Sequence, residues 1–207
     1  MRTCQCNVSF PDEGAHPGVL SGAKAYGGPN TGNLWYEDND MIEGYYQGRA
    51  VGKRLPIADV QYEYLDHTAD VQIHSWGKNL KEAFEQAGVA MYGYLTEDIT
   101  SVEMTDMHVI SATADDLQSL LFHFLDELLF IFSAQPFFIG RRVSISKFDL
   151  SKFAIKATVF GEQFDLAKHP AGTEIKAITY SAMQILQKSE GDQIVKDKVE
   201  LYVIVDI

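Results

Sequence analysis

The chain has 207 residues, of which 46% are hydrophobic, and carries a formal net charge of −12 at pH 7. This length suits one domain or two small ones with a sizeable core. The negative charge argues against tight, direct binding to a nucleic-acid backbone, which requires clustered lysine and arginine. It favours basic partners or cations, although the same charge also serves solubility alone.

Cysteine usage and the absence of export signals bear on the compartment. Cys4 and Cys6 are the only two cysteines. Because only one residue separates them, a disulfide between them could not join distant parts of the fold, which favours a reducing compartment. A Cys-x-Cys pair alone is also a weak zinc signal. Residues 1–20 contain acids and prolines where a secretory signal needs an apolar core. The most apolar run, residues 117–132, is too short and too charged to span a bilayer. We therefore expect a cytoplasmic or nuclear protein, or one found in both, with no membrane partner.

Residues 1–55 differ in composition from the rest of the chain. They hold nine of the 16 glycines and three of the six prolines, and they lack hydrophobic periodicity. This composition predicts a disordered or loosely attached N-terminal extension, followed by a folded domain over residues 56–207. The aromatic residues of the extension could instead dock on a partner. They are Trp35, Tyr36, Tyr45 and Tyr46.

The first part of the folded domain predicts two strands and a helix. Residues 60–65 and 71–74 alternate in polarity and predict strands on either side of an acidic turn over residues 66–70. Residues 80–95 place apolar side chains at helical spacing, and Asn79 is a suitable N-cap.

A second helix is predicted over residues 117–133. It follows a strand over residues 101–112 and a capping box that starts at Thr113 and ends at Asp116. Apolar residues occupy nearly every face of this helix, which predicts a central core helix buried on most sides, with His123 satisfied inside the core.

The C-terminal half reads as a run of strands. Strands are predicted over residues 137–139, 143–148, 153–160 and 199–205. A turn is expected at Gly161 and Glu162, one long or bulged strand over residues 174–186, and a loop or hairpin tip over residues 189–198. Since most connections are too short for parallel crossovers, the pattern predicts an α+β fold of mostly antiparallel sheets packed with two main helices.

Carboxylates occur at both ends of the predicted domain. Asp66 and Asp70 flank the first turn, Asp206 ends the last strand, and Ile207 adds a main-chain carboxylate. Hard cations such as Ca²⁺ or Mg²⁺ prefer several oxygen ligands, and a cation relieves repulsion between neighbouring acids. Spacing alone cannot place such distant acids together, so Asp66 as a turn cap and Asp206 as a polar chain end remain the simpler reading.

A histidine and a polar loop are further candidates. His67 lies beside Asp66 and suits proton transfer, metal binding or a hydrogen bond within its turn. The loop over residues 168–176 sets Lys168, His169 and Lys176 around a glycine turn, which favours either a contact surface or a solvated loop.

Four sequence blocks resemble the archease family, in the same order. The blocks are YEYLDHTAD from Tyr62, DDLQSLLFHFLDELLF, KHPAGTEIKAITYSAM and the terminal VIVDI. The resemblance covers residues 62–207 and implies an archease-like α+β domain. It further implies a non-catalytic activator of the GTP-dependent tRNA-splicing RNA ligase, which promotes guanylylation and multiple turnover of that enzyme.

The resemblance also implies site residues and partners. It places a divalent cation, foremost Ca²⁺ with Mg²⁺ or Mn²⁺ as alternatives, on Asp70, Asp206 and Ile207. The partners it implies are the ligase and its complex, including a DEAD-box helicase. Five residues are candidates for contact with the ligase or for support of that contact: Asp66, His67, His169, Glu174 and Lys176.

Common enzymatic motifs are missing from the sequence. It contains neither the phosphate loop G-x-x-x-x-G-K-S/T nor the nucleophile elbow G-x-S-x-G, and the folded part has no cysteine to act as a nucleophile. This favours an accessory protein. A chaperone-like acidic interaction module is the main alternative, and a metal-dependent hydrolase using the same acids is a weaker one.

Overall fold

A computed structural model describes residues 45–46, 49–50, 56–187 and 198–207. Contacts divide the chain into residues 1–31 and residues 32–207, and all the described residues belong to the second unit. Within the predicted extension, β1 (Tyr45–Tyr46) and β2 (Arg49–Ala50) form an antiparallel pair. The rest of residues 1–55, and residues 189–197 of the predicted loop, lie outside the described residues.

The first large sheet has five antiparallel strands. It consists of β3 (Tyr62–His67), β4 (Asp70–Gly77), β8 (Ala177–Ile178), β9 (Gln184–Gln187) and β10 (Val199–Asp206). The order is β3-β4-β10-β8. β8 and β9 pair with the same side of β10, β8 at residues 205–206 and β9 at residues 199–202. β10 therefore lies at the centre, between the hairpin that opens the domain and two short strands.

The second large sheet has three antiparallel strands in the order β5-β7-β6. They are β5 (Asp106–Thr113), β6 (Phe138–Asp149) and β7 (Ala154–Gln163). Two register shifts interrupt β6, one between Gly140 and Arg142 and one between Ile145 and Lys147.

Two helices contact strands of both sheets. α1 (Leu80–Leu95) contacts β4, β10 and β6, and α2 (Leu117–Ser133) contacts β5, β6 and β8. Both helices have the predicted bounds, and the Asn79 side chain caps α1 by accepting a hydrogen bond from the Glu82 N–H, as predicted. The inner faces of the two sheets thus share one hydrophobic core with both helices.

The helices approach each other closely at Gly88 of α1. A Cβ atom at this position would lie 2.7 Å from Leu128 Cδ1 of α2, so the missing side chain permits the contact. The Tyr92 hydroxyl, one turn further along α1, donates a hydrogen bond of 2.9 Å to the Leu128 carbonyl. No helix in the described part of the chain is long and apolar enough to cross a membrane.

The predicted α+β class, with antiparallel sheets and two main helices, is confirmed. The predicted acidic turn is wrong in extent, because residues 66–67 belong to β3 and residue 70 to β4. Only Thr68 and Ala69 connect the strands, and Ala69 adopts a positive φ of 63°. This tight connection extends the hairpin ladder to His67 opposite Asp70.

The predicted capping box is also wrong. Thr113 is the last residue of β5, and Asp116 caps α2 by accepting a hydrogen bond from the Ser119 N–H. The preceding strand starts at Asp106 instead of residue 101, because residues 99–101 form a short 3₁₀ helix.

Three predicted strands and one predicted turn in the C-terminal half also have the wrong bounds, because distant strand partners determine them. Residues 137–139 and 143–148 belong to one bulged strand, β6, and the predicted turn at Gly161 and Glu162 lies inside β7. The single strand predicted over residues 174–186 is two short strands, because a turn containing Ala182 (φ 50°) separates them.

α2 is buried on one side only, contrary to the prediction. Its buried residues are Leu120, Leu121, Phe124, Leu125, Leu128 and Leu129. Phe130 is 63% exposed. His123 is exposed too, and its Nδ1 lies 2.8 Å from the Thr113 carbonyl oxygen, so it is satisfied at the surface and not in the core.

The two sides of α2 should differ sharply in their effect on stability. Leu128→Ala should lower the free energy of unfolding by about 2–5 kcal/mol, since it leaves a cavity against α1. Phe130→Ala should change it by no more than about 0.5 kcal/mol, since the ring is mostly in solvent. Urea denaturation of both variants measures this, and equal losses would contradict the one-sided burial of α2.

Candidate functional site

Strand register brings His67, Asp70 and Asp206 into one row. Asp206 of β10 lies opposite Asp70 of β4, and His67 of β3 lies opposite Asp70 on its other side. Side chains of directly opposed residues project from the same face, with Cβ atoms roughly 4.5–5.5 Å apart. The acids from the two ends of the domain therefore meet where β4 starts and β10 ends, on the face of the five-stranded sheet turned away from the helices.

We call this row, together with Ile207, the acidic end. The Nδ1 atom of His67 lies 3.7 Å from Oδ2 of Asp70, and the two side chains are 42% and 29% exposed. Ile207 directly follows Asp206. It is half-buried and packs against the core, which keeps it close to the sheet. The arrangement presents two carboxylates and an imidazole to solvent, next to the carboxylate that an Ile207 terminus provides.

Asp66 does not join this row. It pairs with Val71, a core residue, so its side chain projects from the helix-facing side of the sheet. The side chain of Asp66 is exposed, but period-two alternation separates it from Asp70. The two acids that are closest in sequence thus lie on opposite faces.

Lys176 is tied to the acidic end through its main chain. Its N–H donates a hydrogen bond of 2.8 Å to the Asp206 carbonyl, and the next residue, Ala177, lies opposite Asp206 in β8. Lys176 and Glu174 are both exposed. In the part of the chain that the structure describes, the Lys176 ammonium group makes no ion pair.

His169 is fully buried and fixes the loop that leads to Lys176. Its Nδ1 accepts a hydrogen bond of 2.9 Å from the Asp165 N–H, which leaves the proton on Nε2, 3.1 Å from Glu162 Oε1. Its ring also stacks on Phe164 with centroids 5.4 Å apart. Because no part of His169 reaches solvent, it supports the loop and does not offer a contact surface itself.

The same loop is anchored to the end of α1. The Thr96 hydroxyl donates to the Pro170 carbonyl at 2.6 Å, and the Gly172 N–H donates to the Leu95 carbonyl at 3.0 Å. A Cβ atom at Gly172 would lie 2.4 Å from the Tyr94 carbonyl oxygen, so only glycine fits there. The loop thus runs as a fixed connection from Glu162, past α1, to Asp206.

Lys168 is already engaged by two acids. Its ammonium group lies 2.9 Å from Glu103 Oε2 and 2.8 Å from Glu162 Oε2, and these hydrogen bonds raise the pKa of Lys168. Burial raises the pKa of the Glu162 carboxyl, but hydrogen bonds from Lys168, the Glu103 N–H and His169 outweigh it and hold that pKa below its ordinary value. Of the two loop lysines, only Lys176 is available for a partner.

The donor set of the acidic end suits a hard cation. Among the described residues, no three His, Cys, Asp or Glu side chains are placed to hold a metal. A cation here would need the Ile207 main-chain carboxylate and water in addition to Asp70 and Asp206. Three carboxylate groups with water match the all-oxygen coordination of Ca²⁺ or Mg²⁺ and fit poorly with zinc.

A second polar group on the same sheet face was not singled out from the sequence. His74 Nδ1 lies 2.8 Å from Glu63 Oε1, its ring stacks on Tyr202 at 4.2 Å, and Nε2 lies 3.7 Å from Glu200 Oε2. The alternation of side chains in β3 and β4 places Glu63 and His74 on the outer face of the sheet. Their neighbours in sequence do not show that the register of the two strands sets them opposite each other. We assign this group no function.

Residues 62–207 match the model of the Archease protein family (MTH1598/TM1083). The chain belongs to the archease family. "Protein archease-like" of Drosophila melanogaster is 58% identical over 152 residues, which cover 73% of this chain and 93% of that protein. "Protein archease" of Ictalurus punctatus is 52% identical over 159 residues, covering 77% and 93%.

A solved archease-family structure has the same fold. The solution structure of Methanobacterium thermoautotrophicum protein 1598 aligns with a TM-score of 0.55 and 30% identity. The alignment covers 72% of this chain and all of that one. The archease domain therefore accounts for both large sheets and both helices, and it starts at Tyr62, where β3 begins.

Loss of the buried histidine should loosen the loop that supports the acidic end. His169→Ala leaves the Asp165 N–H without its acceptor and removes one of the hydrogen bonds to Glu162, so it should lower the free energy of unfolding by about 1–3 kcal/mol. Amide hydrogen exchange of residues 165–176 should quicken. Glu174→Ala, at an exposed position in the same loop, should change neither quantity, and an equal effect of the two variants would refute the supporting role of His169.

Proposed function

We propose that this archease is a non-catalytic activator of the GTP-dependent tRNA-splicing RNA ligase, and that it promotes guanylylation and repeated turnover of that enzyme. The proposal rests on family membership and on the acidic end. The observation that carries it is the register that sets Asp206 opposite Asp70 on an exposed sheet end. We further propose a cytoplasmic or nuclear site of action within the ligase complex, with its DEAD-box helicase.

The residues of the acidic end have distinct proposed roles. Asp70, Asp206 and the Ile207 carboxylate would hold a divalent cation, foremost Ca²⁺. When bound, the cation supplies positive charge that neutralises the carboxylates and can order anionic groups nearby. His67, in contact with Asp70, would orient that carboxylate, while Lys176 would approach a nucleotide phosphate or an acidic group of the ligase.

Charge supports a transient contact with the ligase. An enzyme that joins RNA needs a basic cleft, and a −12 protein with an exposed acidic end is complementary to such a surface. RNA competes for the same charge, so the contact would give way when substrate arrives. An accessory protein of this kind needs no nucleophile or general base of its own.

Cation binding should depend on the face from which each acid projects. Asp70→Asn should weaken Ca²⁺ binding on the order of tenfold or more, because it removes a carboxylate ligand. Asp66→Asn removes the same charge four residues away but on the opposite face, and it should leave the affinity within about twofold. Isothermal titration calorimetry with Ca²⁺ alone measures both.

The chain terminus offers a second test of the same site. One residue appended after Ile207 should weaken Ca²⁺ binding about as much as Asp70→Asn does, since the terminal carboxylate is displaced. Equal affinities for Ca²⁺ in the wild type, Asp70→Asn and the extended protein would refute the cation site.

Ligase activation should follow the acidic end. With purified tRNA-splicing ligase, GTP and a large excess of RNA substrate, catalytic amounts of this protein should raise the number of turnovers. Asp206→Asn and Lys176→Ala should abolish most of that rise. Asp126→Asn, an equal charge change at an exposed position of α2, should keep it.

The alternatives predict other outcomes of the same assay. A chaperone-like module would protect unrelated proteins from aggregation and would not depend on Asp206. Unchanged turnover with a cognate ligase and a free C-terminus would leave the fold and family standing and would refute the activator role.

A further inference from the structure

β3 forms one edge of the five-stranded sheet and pairs with β4 on its inner side. The Trp76 N–H donates a hydrogen bond of 2.9 Å to the carbonyl of Gln61, which precedes β3 and lies opposite Trp76 in the same register. Along an antiparallel ladder, opposed residues alternate between hydrogen-bonded and non-hydrogen-bonded pairs. Since the register of β3 and β4 has no shift, the N–H and C=O groups of Tyr62, Tyr64 and Asp66 point away from β4.

These outward groups have no hydrogen-bond partner in the part of the chain that the structure describes. β3 also lacks the features that commonly block an edge strand, since it contains no proline, lysine, arginine or bulge. On β6, an edge strand of the other sheet, two register shifts interrupt the pairing and the Ile145 N–H donates to Glu85 Oε1. Free N–H and C=O groups at the spacing of a strand are complementary to the backbone of a second extended chain.

Helix α1 fixes the shape of this edge from the core side. The Tyr64 hydroxyl donates a hydrogen bond of 2.7 Å to the Ala90 carbonyl of α1. The ring of Tyr64 also contacts the rings of Tyr62 and Tyr94, with centroids 5.7 and 5.1 Å away. Because β3 is already extended and held in place, pairing with a second strand requires little further ordering of this protein.

The side chains of β3 favour a basic partner. Glu63 and Asp66 are exposed carboxylates, and Asp66 makes no ion pair with any residue that the structure describes. Opposite charges on neighbouring strands stabilise a sheet, so a lysine or arginine suits the position opposite Asp66 on an added strand. β3 ends at His67, whose Nδ1 lies 3.7 Å from Asp70 Oδ2. The free edge is therefore continuous with the acidic end.

We propose that β3 is the docking edge for an extended, basic segment of the partner protein, which adds a strand to the five-stranded sheet. The segment pairs with the outward backbone groups of Tyr62, Tyr64 and Asp66, and its lysine or arginine lies opposite the Asp66 carboxylate. The inference rests on the proposed function, under which the partner is the ligase. Pairing at β3 sets the orientation of the ligase relative to the acidic end.

Residue-resolved hydrogen exchange of the full-length protein, with and without purified ligase, tests the proposal. In the free protein the Tyr64 and Asp66 amides should exchange faster than the Leu65 amide, which faces β4. Bound ligase should slow exchange at Tyr64 and Asp66 on the order of tenfold or more. Unchanged exchange at both amides in the complex would overturn the added strand. Protection that rises with the concentration of this protein alone would indicate a second copy on β3 and would overturn the ligase as occupant.

Two substitutions at Asp66 separate the backbone group from the charge. Asp66→Ala removes the carboxylate and keeps the N–H, whereas Asp66→Pro removes both. An edge strand tolerates proline where the N–H points to solvent, so pairing with β4 should remain. In titration calorimetry Asp66→Ala should weaken ligase binding about threefold, and Asp66→Pro about fivefold to tenfold further. Slow exchange in β4 and β10 checks that each variant is folded.

Equal affinities of the two folded variants would overturn backbone pairing at β3. Should Asp66→Pro disturb the fold, the exchange of the wild-type complex decides alone. Failure of the added strand is distinguishable from failure of the proposed function. A ligase that neither binds the wild-type protein nor gains turnovers refutes both. A ligase that binds and is activated, while the Tyr64 and Asp66 amides stay unprotected, refutes only the added strand.

Discussion

The pairing of β10 with β4 is the constraint on which the rest of the structure depends. It joins the two ends of the domain over eight residue pairs, from Val199 opposite Gly77 to Asp206 opposite Asp70. A slip of one residue would move Val203 and Val205 out of the core and turn Asp206 inward. Burial of those valines against Ile73 and Val71 therefore fixes the register, and the register sets the acids side by side.

Local patterns predicted the bounds of the helices well and the bounds of the strands poorly. α1 and α2 have the predicted bounds because helical periodicity and the Asn79 cap depend only on residues that are close in sequence. β6 was predicted as two strands, and residues 174–186 as one, because bulges and short edge strands are decided by partners far away in sequence. One-sided burial of α2 likewise depends on where the sheets end, which leaves Phe130 in solvent.

The candidate site shows the same limit. From spacing alone, Asp66 and Asp70 were a more natural pair than Asp70 and Asp206, and alternation in β3 and β4 separates the first pair. The likeness of the terminal residues to the archease family identified Asp206 and Ile207, and the register then brought Asp206 next to Asp70. The sequence suggested His169 for contact with the ligase or for support of that contact, and no local signal showed that its burial and two hydrogen bonds fix the loop from within.

The interior of the protein sets the positions of the carboxylates in the acidic end. Two carboxylates on neighbouring strands disfavour one another unless a cation or a basic partner lies between them. Within the row, the His67 imidazole lies 3.7 Å from Asp70, while Lys176 is joined to Asp206 only through its main chain. The apolar face beneath and the loop anchored by His169 hold the row in position. The register thus keeps this row exposed at one end of the sheet, and it is there that the proposed function would bring a positively charged ligand.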